Sequence, residues 1–198
     1  VCLVGSEMCI RDRDEVQALV QDTIFSRSPS ALKRTGIFIG GRDSHLAMDM
    51  IEETRKHMVP PFEVPVFADP SGAFTTAAGM VAITEKALKD KFSEDFKNKK
   101  VVILGGTGPV GVASAVISAK AGNEVLLVGR SLEKAEGIAK ICNEKYGSKS
   151  VVGAADGDKA SFLTDTDVVF NTGAAGIQLM DDELIATSKK LKICADVN

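Results

Sequence analysis

The chain has 198 residues, of which 44% are hydrophobic and 26% are charged, and its net charge is −3. These values are typical of a globular protein, and the small acidic excess argues against nucleic-acid binding, which normally needs a basic surplus. The sequence lacks an apolar run long enough to span a bilayer, so it predicts a soluble protein without membrane contact. Its four cysteines are far apart and include no CxxC pair, which favours a reducing, cytoplasmic compartment without a disulfide framework or a metal site.

The first thirteen residues differ in character from the rest of the chain. Their sequence, VCLVGSEMCIRDR, fails as a secretory signal because Glu7 interrupts the apolar stretch and the basic residues follow it. The segment resembles a translated sequencing adapter. We therefore expect residues 1–13 to be a non-native artefact and give Cys2 and Cys9 no functional role.

Residues 14–97 are predicted to form an N-terminal α/β domain. Hydrophobic side chains at helical spacing, among them Val16, Val20 and Ile24, predict an amphipathic helix at its start. Capping and turn residues set the later boundaries. The predicted elements are, in order, a helix from residue 14, a loop at 26–33, a strand at 35–39, a helix from 43 or 44, a strand at 62–67, a turn at 69–72 and a helix at 75–88.

The charged stretch at residues 89–100 is taken as the boundary to a second domain, residues 98–198. Strands and helices alternate closely beyond it, which is typical of a doubly wound parallel sheet of the Rossmann type. The fold class is therefore α/β, with two α/β domains. The predicted strands cover 101–104, 124–128, 150–152, 167–170 and 191–195, and the predicted helices cover 110–121, 132–146 and 181–188.

A glycine-rich motif follows the first predicted strand of the second domain. The sequence GGTGPVG contains GxGxxG, with the strand VVIL before it and an apolar helix after it. In dinucleotide-binding folds the glycines permit a tight turn, leave room for a pyrophosphate and let the helix pack on its strand, while the pyrophosphate rests on the helix N-terminus. A glycine-rich turn in another α/β fold is the alternative. The residues predicted to bind the cofactor are Gly106, Thr107, Gly108, Pro109, Val110 and Gly111.

The next strand ends at Arg130 and Ser131, where an NAD-specific site usually has an acidic residue. A guanidinium and a hydroxyl suit a 2′-phosphate, so we predict NADP as the cofactor, with NAD also possible. The alternative is that Arg130 is simply a solvated residue. After the strand DVVF, the small residues Thr172, Gly173 and Ala174 would let the nicotinamide ribose lie close to the backbone, although an ordinary loop of small residues has the same pattern.

The chain ends at residues 195–198, just past a predicted strand. Ligands bind outside the carboxyl ends of strands in sheets of this kind, so this edge is normally followed by further chain. Together with the adapter-like start, this position predicts a fragment that lacks both of its native ends.

With these motifs in place, residues 14–198 resemble methylene-tetrahydromethanopterin dehydrogenase, in particular its NAD(P)-dependent form. The resemblance implies two α/β domains with a cleft between them and the cofactor and the pterin on opposite walls. It also implies a homo-oligomer without metal or flavin that transfers a hydride from the methylene group to NADP or NAD in one-carbon metabolism. The matching stretches are KRTGIFIGGRDSHLAMDM, MVPPFEVPVFADPSGAFTTAAG, GGTGPVG, DVVFNTGAAG and ADVN.

Polar residues in the matching N-terminal stretches are the candidates for the pterin wall of the cleft. Each has a structural alternative, because it would equally cap a helix, form a turn or open a helix. No nucleophile–base constellation is found, His45 and His57 are isolated in the sequence, and no catalytic residue is assigned. Cys194 is expected to pack in a buried strand. The candidate substrate-binding residues are Asp43, Asp69, Ser71, Thr75 and Thr76.

Two other interpretations stay open. A methylene-tetrahydrofolate or shikimate-type NADP dehydrogenase would share the two-domain plan, although a shikimate-type enzyme should show a lysine–aspartate dyad that is not evident here. A non-catalytic NADP-binding module would bind the nucleotide without turnover. The reaction that each substrate supports separates these interpretations.

Overall fold

The computed structural model of the protein describes residues 14–197. The expectations for residues 1–13, including Cys2 and Cys9, lie outside this range. The chain divides into two compact units, Val1–Ser71 and Gly72–Asn198. No helix within residues 14–197 is long and apolar enough to cross a membrane.

Within residues 14–71, the first unit has two parallel strands and three α-helices. Its strands pair in register, with Ile37 opposite Val66 and Ile39 opposite Ala68. Two predicted elements differ from the structure. The expected loop at 26–33 contains a helical turn, which begins with a proline at a position where a missing N–H costs little. The strand expected at 62–67 covers only Val66–Ala68 and begins after Pro65, which has no N–H to donate to a sheet. The elements are α1 (Asp14–Phe25), α2 (Pro29–Leu32), β1 (Ile37–Ile39), α3 (Ser44–Lys56) and β2 (Val66–Ala68).

The core of the first unit rests on the predicted stripe of α1. Val16, Val20 and Ile24 are all buried, and Ile24 packs with Leu32 and Val64. A short 3-10 turn, Pro70–Gly72, follows β2 and leads out of the unit. The hydrophobic residues at helical spacing therefore predicted the packing face of α1 correctly.

The second unit is a five-stranded sheet with all strands parallel, in the order β5-β4-β3-β6-β7. This order confirms the predicted doubly wound α/β arrangement. The short helix α7 is an element that the sequence patterns did not predict. The elements are α4 (Ala73–Phe92), β3 (Lys100–Leu104), α5 (Pro109–Lys120), β4 (Glu124–Gly129), α6 (Leu132–Glu144), β5 (Val151–Ala155), α7 (Lys159–Leu163), β6 (Val168–Asn171), α8 (Asp182–Thr187) and β7 (Ile193–Asp196).

The central strand β3 is covered on both faces, which explains its uninterrupted apolar sequence. Val101 and Ile103 face one hydrophobic cluster, with the buried residues of α4, α5 and α6. Val102 and Leu104 face the other, with Leu163 of α7. The alternation of side chains along a strand places neighbouring residues on opposite faces, so each helical layer receives two residues of β3.

The helix α4 belongs to the second unit, so the structure divides the chain earlier than the boundary expected at residue 97. Met80, Val81 and Leu88 are buried in the same cluster as Val101 of β3. The charged residues at 89–100 mark the exposed end of α4 and the loop after it, and Phe96 within that stretch is itself buried. A run of charge here indicates a solvated surface rather than a linker.

Candidate functional site

Three loops meet at the carboxyl edge of the five-stranded sheet. They follow β3, β4 and β6, and β3 lies between the other two strands. Within the sheet, the chain moves from β3 to its neighbour β4 on one side and later returns to place β6 on the other side of β3. This is a topological switch point, where α/β sheets open a crevice for ligands.

The loop after β3 turns sharply into α5. Gly105 has a φ of +67°, a left-handed conformation that glycine adopts without steric cost. Its carbonyl oxygen accepts a hydrogen bond from the N–H of Gly108 at 3.2 Å. A Cβ atom on Gly106 would lie 2.9 Å from the carbonyl oxygen of Ile103, so any side chain there would lift the turn off the sheet.

The N-terminus of α5 leaves open space beside Gly108. Gly108 is the N-cap residue and has no side chain with which to cap the helix, and Pro109 opens the first turn. The described heavy atom nearest to a Cβ on Gly108 would be the oxygen of Gly105, at 3.7 Å, so a side chain would fill otherwise open space. Gly111 holds the helix close, because a Cβ there would lie 2.5 Å from the Cα of Gly106. The arrangement fits a phosphate group on the helix N-terminus.

Thr107 of the glycine-rich turn contacts the end of β4. A Cβ on Gly129, the last residue of β4, would lie 2.7 Å from the Cγ2 methyl of Thr107. Ser131 is the N-cap of α6, and its hydroxyl accepts a hydrogen bond from the N–H of Lys134 at 3.3 Å. Arg130 between them is exposed. The structure therefore brings the predicted Arg130 and Ser131 to the rim of the glycine-rich turn.

The loop after β6 lies against the other side of the turn. The N–H and the hydroxyl of Thr172 both donate to the carbonyl oxygen of Leu104, each at 2.9 Å. A Cβ on Gly105 would lie 2.6 Å from the Cα of Gly173. Ala174 is exposed, and its carbonyl oxygen accepts a hydrogen bond from the N–H of Ile177 at 3.2 Å. The three predicted cofactor segments thus converge on one edge.

Sequence reasoning missed two residues of this edge. Gly105 precedes the glycine motif as it was assigned, and Gly129 closes β4. The doubled glycine at 105 and 106 was the available signal for the first of them. Gly129 acts through a contact with a distant segment, for which a single sequence gives no local pattern. Asn171, which closes β6, belongs to the third segment expected at the cofactor, but its partner on β7 could not be predicted.

In the first unit, two candidate substrate residues have structural roles. The carboxylate of Asp43 caps α3, accepting from the N–H of His45 at 2.9 Å and of Leu46 at 3.0 Å. Ser71 has a left-handed φ of 53°, and its hydroxyl donates to the carbonyl oxygen of Gly41 at 2.9 Å. The Ser71 contact joins the loop after β1 to the turn after β2.

The remaining candidates lie close by in the sequence but belong to different units. The N–H of Asp69 donates to the carbonyl oxygen of Ile39 at 3.1 Å in the first unit. In the second unit, the hydroxyl of Thr75 donates to the carbonyl oxygen of Gly72 at 3.2 Å, and Thr76 is exposed in the first turn of α4. These backbone contacts agree with the turn and helix-start alternatives and leave the substrate role untested.

The histidines and cysteines of the described range show no reactive arrangement. His57 ends α3, with its Nε2 3.6 Å from a carboxylate oxygen of Glu53. Burial raises the pKa of the Cys142 thiol to about 11, so it is neutral and unreactive. The expectation that Cys194 is buried is wrong: it is exposed on β7, the outermost strand of the described sheet on that side. Within residues 14–197, no three His, Cys, Asp or Glu side chains cluster as a metal site would require.

Comparison with known proteins shows similarity along almost the whole chain. Residues 9–71 match the family model described as methylene-tetrahydromethanopterin dehydrogenase, N-terminal, and this match starts inside the segment expected to be an artefact. The NAD(P)-dependent methylenetetrahydromethanopterin dehydrogenase of Methylorubrum extorquens is 44% identical over 94% of this chain and 64% of its own length. The bifunctional protein MdtA of the same organism is 35% identical over 93% of this chain and 64% of its own length.

Among solved structures, quinate dehydrogenase from Corynebacterium glutamicum in complex with NAD is similar, with a TM-score of 0.50 and 16% identity over 91% of this chain and 62% of that one. This likeness supports the fold alone. The chain spans 64% of the length of each of the two curated relatives. The chain is therefore similar over nearly its whole length to an NAD(P)-dependent methylenetetrahydromethanopterin dehydrogenase, and residues 9–71 match the N-terminal model of that family.

Proposed function

We propose that the full-length protein is an NAD(P)-dependent dehydrogenase that oxidises methylene-tetrahydromethanopterin to the methenyl form in one-carbon metabolism. The observation that carries the proposal is the presence, in one chain, of the open glycine turn at the N-terminus of α5 and the N-terminal domain of this family at residues 9–71. The turn supports a dinucleotide cofactor, and the 44% identity to a protein named as a dehydrogenase of this specificity supports the reaction.

The cofactor would lie across the carboxyl edge of the five-stranded sheet. The N-terminal turn of α5 would hold its pyrophosphate, with Gly108 supplying the space and the helix dipole the favourable charge. Arg130 and Ser131 would receive the 2′-phosphate of NADP, and the segment at 172–174 would lie beside the nicotinamide ribose. When bound, the nicotinamide ring supplies the hydride acceptor.

The proposed pterin contacts are the residues predicted from the sequence. They are Asp43, Asp69 and Ser71 in the first unit and Thr75 and Thr76 in the second. Asp43 and Ser71 already make hydrogen bonds within the unit. The Asp43 carboxylate and the Ser71 hydroxyl oxygen can each accept a further hydrogen bond, and the pterin would donate it.

In this reaction the main task of the protein is to orient the substrate and the cofactor. The nitrogen beside the methylene carbon stabilises the methenyl cation as the hydride leaves, so neither a nucleophile nor a strong base is required. The chain's own contribution is to hold the two reacting atoms within roughly 3–3.5 Å in a fixed orientation. A rigid glycine turn, packed against two neighbouring loops, is suited to that task.

The test is formation of reduced nicotinamide by the full-length protein. Methylene-tetrahydromethanopterin and methylene-tetrahydrofolate would each be supplied with NADP or NAD, and shikimate with NADP would serve as a further substrate. Turnover with the methanopterin substrate is expected, and preferential turnover with the folate or with shikimate would replace the proposal. Tight NADP binding without turnover on any substrate would instead indicate a non-catalytic NADP-binding module.

The proposal retains two expectations from the sequence, a cytoplasmic location and a homo-oligomeric state. The free thiols of Cys142 and Cys194 agree with a reducing compartment. Light scattering coupled to size exclusion of the full-length protein would test the oligomeric state, and a monomeric mass would contradict it.

A further inference from the structure

The side chain of Asn171 joins the last residues of two neighbouring strands. Asn171 ends β6 and Asp196 ends β7, and the two residues are register partners. The Nδ2 of Asn171 donates to Oδ2 of Asp196 at 2.8 Å, and its Oδ1 accepts from the N–H of Gly173 at 3.1 Å. The carbonyl oxygen of Asn171 also accepts from the N–H of Val197 at 3.3 Å.

The two hydrogen bonds fix which way the amide faces. An ionised carboxylate only accepts hydrogen bonds, so Asp196 requires the NH₂ group of Asn171. A backbone N–H only donates, so Gly173 requires the amide oxygen. The amide of Asn171 satisfies both partners at once. An aspartate at this position would still accept from Gly173, but it would oppose a second carboxylate at Asp196.

The group that Asn171 holds is part of the wall of the glycine turn. Gly173 lies so close to Gly105 that a Cβ on Gly105 would be 2.7 Å from the nitrogen of Gly173, the same N–H group that Asn171 accepts from. Two further hydrogen bonds join Thr172 to Leu104, the last residue of the neighbouring strand β3. A shift of the segment after β6 would therefore move the packing surface of the turn that leads into α5.

We propose that Asn171 is a positioning residue for the cofactor, which holds the segment at 172–174 against the glycine turn through its bridge to Asp196. This inference rests on the proposed function. It adds a residue outside the glycine motif, and it makes the Asn171–Asp196 pair a determinant of cofactor affinity. Asn171 acts through the backbone of Gly173 and has no chemical role of its own.

The test is a pair of substitutions in the full-length protein, N171D and D196N, alone and combined, with NADP affinity measured by calorimetry. N171D opposes two carboxylates and is expected to weaken NADP binding by about tenfold or more. D196N alone leaves an amide oxygen for Asn171 to donate to, so its effect is expected to stay within about threefold. The combined variant restores a donor facing an acceptor and is expected to return to within about threefold of the wild-type affinity.

A control separates positioning from general stability. Asn143 also uses both ends of its amide, donating to the oxygen of Val151 at 2.8 Å and accepting from its N–H at 3.1 Å, at the opposite end of the sheet. N143A should lower the thermal midpoint and leave NADP affinity unchanged. Equal NADP affinities of N171D and the wild type, or no recovery in the combined variant, would overturn the inference while wild-type binding and turnover stand. Absence of NADP and NAD binding by the wild type would instead overturn the proposed function, and this inference with it.

Discussion

Gly105 and Gly173 lie so close together that a Cβ on Gly105 would be 2.6 Å from the Cα of Gly173. Real side chains do not approach a backbone to this distance, so only a glycine at position 105 allows the two loops to pack this closely. The contact joins the turn after β3 to the segment after β6.

We expect G105A to destabilise the protein. Its φ of +67° is a left-handed conformation that costs an alanine about 1–2 kcal/mol, and the clash with Gly173 adds to that cost. Urea unfolding measures the change. G137A in α6 is the matched control, because nothing in the described part of the chain lies within 4 Å of a Cβ there, and it should stabilise by about 0.5–1 kcal/mol. Equal changes in the free energy of unfolding for G105A and G137A would contradict the close contact between Gly105 and Gly173.

We expect G108A to leave the fold intact and to weaken cofactor binding. Its φ of −83° suits an alanine, and the nearest described atom to the new Cβ is 3.7 Å away. The methyl group would occupy the space proposed for the pyrophosphate, so NADP affinity should fall by about tenfold or more. The free energy of unfolding should change by less than about 0.5 kcal/mol. Unchanged NADP affinity would place the phosphates elsewhere.

R130A should reduce the affinity for NADP far more than the affinity for NAD. Loss of hydrogen bonds from a guanidinium to a phosphate costs about 1.5–3 kcal/mol, or roughly 10–100-fold in affinity. Fluorescence titration with both nucleotides measures the ratio. K140A is the control, because Lys140 lies on the exposed surface of α6 and its side chain is 71% exposed. An equal loss of affinity for NADP and NAD would mean that Arg130 contacts a part of the molecule that the two nucleotides share.

The sequence predicted the elements with a clear local signal. The apolar run of β3, the glycine turn and the small residues of α5 follow each other directly, and the structure forms all three where they were expected. The helix α7, Lys159–Leu163, was missed because five residues are too few to show a helical period. The boundary at residue 97 followed charge, whereas burial of Leu88 and Phe96 decides which unit α4 joins.

Long-range contacts of the site were beyond the reach of a single sequence. The Cγ2 of Thr107 fills the space above Gly129, and the two residues lie in different segments, the turn after β3 and the end of β4. Asn171 and Asp196 are separated by 25 residues and meet only because β6 and β7 are adjacent and in register. Local patterns identify which loops reach the edge of the sheet, while strand order and register decide which side chains meet there.

For Asp43, two substitutions separate its capping role from substrate contact. D43A removes the acceptor for two backbone N–H groups of α3 and should destabilise by about 1 kcal/mol. D43N keeps an acceptor oxygen and should stay within about 0.5 kcal/mol of the wild type. If the carboxylate also binds the pterin, D43N raises the KM for the pterin without changing unfolding. Normal kinetics in D43N would leave Asp43 as a helix cap only.

An ion-pair cluster near the start of β3 gives the stability a defined pH dependence. Hydrogen bonds from Lys192 and then Lys99 hold the pKa of Glu94 below its ordinary value of 4.5. Lys192 donates to both carboxylate oxygens of Glu94 at 2.7 Å, which ties the loop after α4 to the residue that precedes β7 within the second unit. A lowered pKa means that the folded state favours the ionised form of Glu94.

The stabilisation by Glu94 is therefore fully present above the ordinary glutamate pKa and is lost as the pH falls through the lower, folded value. E94Q should be less stable than the wild type at neutral pH, and the two should converge as the pH falls below 4.5. Urea unfolding across this range measures the convergence. E144Q is the control, since Glu144 pairs with Lys140 at 4.0 Å on an open surface where such pairs contribute little, and its effect should be small throughout. A constant difference between E94Q and the wild type at every pH would show that Glu94 acts by packing or by neutral hydrogen bonds, because only an ionised carboxylate with a lowered pKa makes the difference vanish in acid.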